Sequence, residues 1–302
     1  MPMLTEAELE SFIKDGFFTK QSLLSRDACR RALDATWQIL SEQGITRDPA
    51  TWRKAHGRRG VVKLRDEVEN NEAIRDAIVN CTGVSEVVGD LVGTGYVNCG
   101  VRGVYPTLPI PRRISRPYEP HIENHACQVV VMFYLDDVPP SHGGLLVWPG
   151  SHKPVYTAHD KKFDFSANER FLEVFRQYTF QPPFEITGCA GDVAFFHHRL
   201  FHSGSNNFGR SVRFGVLNDF IPGNYDEIRH DEPTADNMWE YWSDGVQRVA
   251  NRLGERSPLT SPRPDYIRKL LIGGQRAIRR IRGAYLDEYE EKLAKDAVRN
   301  AG

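Results

Sequence analysis

Five short runs rich in β-branched and aromatic residues occupy the middle of the chain, from about residue 95 to residue 221. They read YVNCGVRGVY, ACQVVVMFYL, GLLVWPG, DVAFFHHRLF and RSVRFGVLNDF, and clusters of Pro, Gly, Asn and Ser separate them. Most of these separations lack an apolar period of helical length. Because a βαβ fold needs a helix between successive strands, the pattern predicts an antiparallel β-sandwich or barrel.

The first ninety residues carry the pattern of amphipathic helices instead. Thr5 and Glu8 form a capping-box pair ahead of the first apolar face, and Ser25 is suited to cap a second helix. The apolar face of that second helix is expected to contain Leu33, Trp37 and Leu40. Residues 71–92 predict a third helix that is broken near Gly83. After Pro222, two further helices are predicted, over residues 236–253 and from 264 to the end.

Composition excludes several classes of function. The chain has 302 residues, 40% of them hydrophobic and 26% charged, with a formal net charge of −1. This balance provides no overall field that would attract nucleic acid or an anionic membrane. The run VVVMFYL is too short to span a bilayer, and the charged N-terminus is unlike a signal peptide. Five cysteines without a CxxC pair argue against a disulfide framework. We therefore expect a reduced, cytoplasmic protein that binds neither nucleic acid nor membrane.

The stretch PHIENHACQVVV places candidate metal ligands directly before an apolar run. If this stretch is a strand, His121 and Glu123 project from the same face, since side chains alternate along strands. A third ligand must come from elsewhere, and GDVAFFHHRLFHSGSNN offers His197, His198 and His202. Two imidazoles and one carboxylate leave open positions on an octahedral ion, which is typical of non-haem Fe(II) oxygenases. The competing interpretation is a set of polar residues at the mouth of a buried strand.

Three segments, in order, resemble the phytanoyl-CoA dioxygenase family of Fe(II)- and 2-oxoglutarate-dependent oxygenases. LTEAELESFIKDGFF followed by LLSRDACRRAL is similar to the helical N-terminus of that family. FYLDDVPPSHGGLLVWPGSHK is similar to its central hairpin, and GDVAFFHHRLFHSGSNNFGRSVRFGV to the segment with the distal histidine and the co-substrate arginine. The resemblance extends from residue 4 to about residue 221.

The resemblance implies specific roles. His121, Glu123 and His202 would be the iron ligands, and they would form the catalytic site. The family usually has aspartate where this chain has Glu123. Halogenating relatives lose the carboxylate altogether, so its presence implies hydroxylation or a related oxidation. The other histidines are expected in turns, at the surface or around the site: His125, His142, His152, His159, His197 and His198.

Co-substrate binding is implied in the same way. Arg213, eleven positions after His202, would bind the distal carboxylate of 2-oxoglutarate through a bidentate guanidinium contact. Arg210 is the rival, but it lies beside Gly209 at the end of a loop. Gln128 is a weaker candidate for contact with the co-substrate.

The implied fold is mainly β: a double-stranded β-helix (jelly roll, cupin-like) with helices on both sides in sequence. Residues 1–222 would form the oxygenase domain, with helical support over 1–92 and the jelly-roll core over 95–221. Residues 223–302 would form a helical extension that packs on the core or joins a second subunit in a homo-oligomer. The apolar stripe of its last helix consists of Ile278, Ile281, Tyr285, Tyr289 and Leu293.

The implied reaction consumes Fe(II)-bound 2-oxoglutarate and O₂ and oxidises a C–H bond of a small-molecule substrate, with release of succinate and CO₂. Arg112, Arg113 and Arg116 precede the first ligand on a Pro-rich loop and suggest an anionic substrate. A solvated basic loop paired with Glu119 is the alternative for these arginines. For the whole chain, a non-catalytic jelly-roll binding protein and an oxygenase acting on a protein side chain are the alternatives.

Overall fold

A computed structural model describes residues 2–53, 60–115, 117–123, 129–158, 169–225 and 238–255. All of them belong to one compact unit, which comprises residues 1–163 and 168–257. The second unit, residues 164–167 and 258–302, lies outside the described residues, and so does the predicted last helix with its apolar stripe. Among the described residues, no helix has both the length and the apolar character needed to cross a bilayer.

The α-helices are α1 (Glu6–Asp15), α2 (Arg26–Glu42), α3 (Asp66–Glu69), α4 (Glu72–Ile78), α5 (Thr82–Val92), α6 (His152–Ala158), α7 (Glu169–Thr179) and α8 (Asp244–Leu253). The strands are β1 (Phe17–Lys20), β2 (Val97–Thr107), β3 (Val129–Tyr134), β4 (Leu145–Val147), β5 (Phe184–Ile186), β6 (Val193–His197), β7 (His202–Gly204) and β8 (Arg213–Ile221). Short 3₁₀ helices span Pro49–Trp52 and Arg112–Ile114.

The strands form two antiparallel sheets. The larger sheet has the order β1-β6-β3-β8-β2, and the smaller one has the order β5-β4-β7. Single backbone bridges lengthen both: Val61 and Leu64 pair with the outer edge of β2, and His121 pairs with His202 on β7. The two sheets are those of the predicted jelly roll, and the predicted fold class is confirmed.

Strand β3 explains why the central apolar run of the sequence is unbroken. Val129, Val131 and Phe133 belong to the large core cluster that the helices cover, whereas Val130, Met132 and Tyr134 belong to a smaller cluster shared with β4 and β5. Both faces of β3 are therefore buried, so its residues need not alternate between apolar and polar. The hydroxyl of Tyr134 donates to the Ile186 carbonyl (2.8 Å) and accepts from the Leu145 amide (2.9 Å), which ties the two sheets together.

The first two predicted helices, α1 and α2, are present with their predicted N-terminal caps. The Thr5–Glu8 capping box is present at α1, and the Ser25 side chain accepts a hydrogen bond from the Ala28 amide at the start of α2. The buried face of α2 differs from the expected one, since Leu33 and Trp37 are only partly buried. Its buried residues are Cys29, Ala32, Thr36, Ile39 and Leu40.

Two other helical boundaries also differ from expectation. The third predicted helix is divided into α4 and α5, and the break falls at residues 79–81, just before Gly83. The helix expected over residues 236–253 begins only at Asp244, because Ser243 caps it through the Val246 amide. α8 contacts α1 and α5.

Candidate active site

Three side chains converge where the predicted metal ligands were placed. His121, Glu123 and His202 each offer one ligand atom, and these atoms all lie within 4.8 Å of one another. One metal ion at about 2.0–2.2 Å from each atom spans such a group after small side-chain adjustments. Among the described residues, no fourth His, Cys, Asp or Glu joins this group. Three protein ligands leave coordination positions open for other molecules.

His121 and Glu123 do not lie on the continuous strand that the sequence predicted. His121 and His202 exchange two backbone hydrogen bonds of 3.0 and 2.9 Å, so the first and last residues of the group face each other across one bridge. Glu123 lies beyond the bridge, outside any strand, and its amide donates to the His198 carbonyl (2.9 Å). The guanidinium of Arg199, which is 1% exposed, donates to the Glu123 carbonyl (3.2 Å).

Both imidazoles are oriented by a backbone carbonyl. The Nδ1 atom of His121 lies 2.9 Å from the Glu119 carbonyl, and that of His202 lies 2.9 Å from the Leu200 carbonyl. Since a carbonyl only accepts, each Nδ1 carries a hydrogen, so Nε2 is the nitrogen that could bind a metal ion. Desolvation and then the neighbouring His202 lower the pKa of His121 to about 4, so this ring is neutral near pH 7.

Glu123 lies among partners that keep it ionised. Its Oε1 is 3.4 Å from His202 Nε2 and accepts a hydrogen bond from Arg102, which also contacts Asp219. Burial alone would raise the pKa of Glu123. The hydrogen bond with His202 and the charge of Arg102 oppose burial and hold this pKa well below its usual range. The group therefore contains two imidazoles and one carboxylate, the donor set that suits a divalent iron ion.

Arg213 is buried near the loop that precedes β4. It is 4% exposed, and its Nε donates to the Gly143 carbonyl (2.5 Å) and its Nη1 to the Tyr105 carbonyl (3.2 Å). Gly143 has a φ of 85°, a backbone conformation that favours glycine. No carboxylate of the described residues lies within salt-bridge distance of Arg213. Burial lowers its pKa. A buried cation in this state is suited to bind the carboxylate of a ligand.

The other candidate residues have different positions. Arg210 is exposed, as expected for the rival of Arg213. Gln128 and Arg116 lie outside the described residues. Arg112 and Arg113 are exposed on the loop that leads to His121, and the guanidinium of Arg112 lies 4.7 Å from the centre of the Phe208 ring.

The remaining histidines of the described residues do not join the ligand group. His197 and His152 are fully buried, and their ring centres are 5.1 Å apart. His197 stacks on both His198 and Trp242. The rings of His152, His197, His198 and Trp242 form an aromatic cluster at the end of β6. His142 lies in the turn before β4, where its Nδ1 is 2.9 Å from the Pro140 carbonyl. His125 and His159 lie outside the described residues.

Sequence reasoning missed three charged residues around this group. They are Arg102 on β2, Asp219 on β8 and the buried Arg199. Arg102 and Asp219 each lie within a predicted strand, in the runs YVNCGVRGVY and RSVRFGVLNDF. A charged residue inside a strand is rare unless it is paired, so this signal could have identified the pair.

The fold and the ligand group together define a class of protein. A jelly roll that carries two histidines and one carboxylate beside open coordination positions is characteristic of non-haem iron oxygenases. The family model of phytanoyl-CoA dioxygenase (PhyH) matches residues 105–215. The resemblance inferred from the sequence is thereby confirmed. This match identifies the chain as a 2-oxoglutarate-dependent non-haem iron oxygenase.

Two solved structures support the fold. The chain is 18% identical to SnoK, a non-haem α-ketoglutarate-dependent carbocyclase from nogalamycin biosynthesis, with a TM-score of 0.52, over 86% of this chain and 94% of SnoK. It is 14% identical to HygX from Streptomyces hygroscopicus, crystallised with nickel and 2-oxoglutarate, with a TM-score of 0.50, over 72% of this chain and 87% of HygX. EvdMO1 is 18% identical with a TM-score of 0.49; the match covers 71% of this chain but only 49% of EvdMO1. No protein of curated function matches the sequence.

Proposed function

We propose that the chain hydroxylates a small molecule and that His121, Glu123 and His202 hold its iron ion. The observation that carries the proposal is the convergence of three ligand atoms within 4.8 Å, with Nδ1 of each histidine directed at a backbone carbonyl. Arg213 is proposed to bind the distal carboxylate of 2-oxoglutarate, since it is a buried cation with no carboxylate partner among the described residues.

The bound iron supplies the activation of O₂, with 2-oxoglutarate decarboxylated to succinate and CO₂ as a C–H bond of the substrate is oxidised. The protein's part is to hold, orient and shield. The Glu119 and Leu200 carbonyls fix the orientation of the two imidazoles. Hydrogen bonds between a metal-binding side chain and a protein group that does not touch the metal typically contribute about 10- to 100-fold to metal affinity or activity. The apolar cluster between the sheets limits water near the reacting atoms.

Hydroxylation, rather than halogenation, is inferred from Glu123. A carboxylate ligand occupies the coordination position that a halide would need. Its pKa is held well below the usual range, so this ligand is ionised at physiological pH.

An anionic substrate is the finer part of the proposal. It rests on the exposed Arg112 and Arg113, which lie on the segment that leads to His121. Arg112 lies over the Phe208 ring at 4.7 Å, which holds its guanidinium in a defined place on that loop. The test compares succinate release stimulated by matched anionic and neutral compounds in wild type, Arg112→Ala and Arg113→Ala. Loss of stimulation by anions in at least one variant is expected. Stimulation by neutral compounds only would refute an anionic substrate.

The main test measures succinate and O₂ consumption with Fe(II) and 2-oxoglutarate under air. Wild type is expected to form succinate, slowly without substrate and faster with it. His121→Ala and His202→Ala should form none while retaining the wild-type circular dichroism spectrum. Wild-type activity in the folded His202→Ala variant would show that the third ligand was assigned wrongly.

A further inference from the structure

Arg102 contacts two acidic side chains at once. Its Nε donates to Asp219 Oδ2 (2.6 Å) and its Nη2 to Asp219 Oδ1, which is a bidentate pair. Its Nη1 donates to Oε1 of Glu123, the proposed iron ligand. The guanidinium therefore joins the proposed iron ligand to a residue of the neighbouring strand. Its fork geometry fixes the direction of each N–H, which the ammonium of a lysine cannot do.

An irregularity of β2 aims Arg102 at this position. Val101 pairs with Asn218, and Gly103 pairs with the next residue, Leu217, so Arg102 is an extra residue in the strand. Val101 and Val104 consequently both belong to the helix-covered core, although a regular strand would place them on opposite faces. The extra residue turns its side chain toward Glu123. Bulges of this kind often re-aim a side chain beside an active site.

The three charged side chains are largely removed from water. The side chain of Arg102 is 19% exposed, and those of Glu123 and Asp219 are 8% and 9% exposed. Charge-assisted hydrogen bonds are strong and directional in such surroundings. A salt bridge whose purpose is stability alone would be replaceable by apolar residues, often without loss. A salt bridge that orients a metal-binding side chain could not be replaced in this way without weakening metal binding.

We propose that Arg102, itself oriented by Asp219, is a positioning residue that fixes the carboxylate of Glu123 for metal binding. The inference rests on the proposed function, because it takes Glu123 as an iron ligand. It also accounts for glutamate at a position where the family usually has aspartate. Glutamate has one more rotatable bond, whose freedom must be lost when the metal binds. Arg102 removes that freedom before the metal arrives.

The experiment measures the affinity of the metal-free protein for Ni(II) and the visible spectrum of its Co(II) form, neither of which requires turnover. Arg102→Gln is expected to weaken Ni(II) binding by about 10- to 100-fold, the usual effect of losing an outer partner of a ligand. Its Co(II) bands should shift because the carboxylate changes orientation. Arg102→Lys should recover part of the affinity. Arg252→Gln, which breaks surface ion pairs with Glu6 and Glu10, is the control and should bind like wild type.

Two further variants separate positioning from folding. Asp219→Asn keeps the guanidinium but loosens its orientation, so it should weaken Ni(II) binding less than Arg102→Gln. It also serves as the test if Arg102→Gln fails to fold. In a Glu123→Ala background there is no carboxylate to position, and Arg102→Gln should then cause no additional loss.

The outcomes distinguish the two proposals. If wild type itself binds no Ni(II), the assignment of the metal ligands fails. If wild type binds and the folded Arg102→Gln variant binds equally well with an unchanged Co(II) spectrum, the role of Arg102 is overturned. An equal loss with and without Glu123 would also overturn it, since Arg102 would then act by another route.

Discussion

Arg213 provides the sharpest test of co-substrate binding. Its guanidinium is 4% exposed and pairs with two backbone carbonyls, but with no carboxylate of the described residues. Removing the partner of a buried charged group in a complex costs about 2–5 kcal/mol. Since about 1.4 kcal/mol corresponds to tenfold, Arg213→Met should weaken 2-oxoglutarate binding by about 30-fold to several thousand-fold. The effect should be on affinity, because the metal ligands are unchanged.

The assay is calorimetric titration of 2-oxoglutarate into Ni(II)-loaded protein, with thermal unfolding as a second readout. Ligand at 100 times its Kd adds about 2.7 kcal/mol to the free energy of unfolding, and this increment should disappear in Arg213→Met. The same variant without ligand should also lose some stability, because the Gly143 and Tyr105 carbonyls lose the donor Arg213, so the increment is measured against the unliganded form of each variant. Arg213→Lys keeps the charge without the fork and should fall between the two.

The matched control is Arg210→Ala, which removes an exposed arginine three positions away. It should leave 2-oxoglutarate affinity unchanged. Wild-type affinity in a folded Arg213→Met protein would refute the assignment. A large loss in Arg210→Ala would show that the solvent-side arginine binds the co-substrate instead.

Three other outcomes are expected. His202→Ala should abolish Ni(II) binding and His198→Ala should retain it, as measured by titration; the reverse result would exchange their roles. Burial lowers the pKa of His152 to about 3, so the unfolded chain takes up a proton first as pH falls below about 6.5. Wild type should therefore lose about 1.4 kcal/mol per pH unit relative to His152→Gln between pH 6 and 4 in urea unfolding, and a parallel pH dependence would contradict the shift. Burial raises the pKa of Cys29 to about 11, so native protein at pH 8 should be alkylated by iodoacetamide at the exposed Cys189 and not at Cys29; mass spectrometry of the labelled peptides checks this.

The strands that sequence reasoning found are those with an apolar run long enough to show. β3, β4 and β6 fall within predicted runs, and β2 and β8 each extend one or two residues beyond theirs. β1, β5 and β7 were missed because their three or four residues (FFTK, FEI and HSG) hold at most two apolar residues in succession, whereas the equally short β4 lies in the apolar run LLVW. β7 and β5 are held by pairing with β4, a tertiary effect that no local pattern reports. α6 and α7, between β4 and β5, were also missed.

The sequence was enough to identify the candidate ligands, but not the residues that surround them. The spacing of His121 and Glu123 identified the pair, but the reason given was a strand, whereas a single bridge holds the segment. Choosing His202 over His197 and His198 came from the family resemblance. The charge of Arg102 within a strand indicated that it needs a partner, but its contact with Glu123 was out of reach, because an irregularity in strand pairing determines where its side chain points.

The His121–His202 bridge has a consequence for how the protein acquires its cofactor. The two residues are 81 positions apart, yet their backbones exchange two hydrogen bonds. Closing a segment of that length costs chain entropy, which only the surrounding sheets can offset. The metal ligands therefore come together late in folding, after the sheets have formed. Metal uptake should then lag behind the recovery of secondary structure when the unfolded chain is diluted into buffer that contains Ni(II), which makes the ion a reporter of completed folding rather than its trigger.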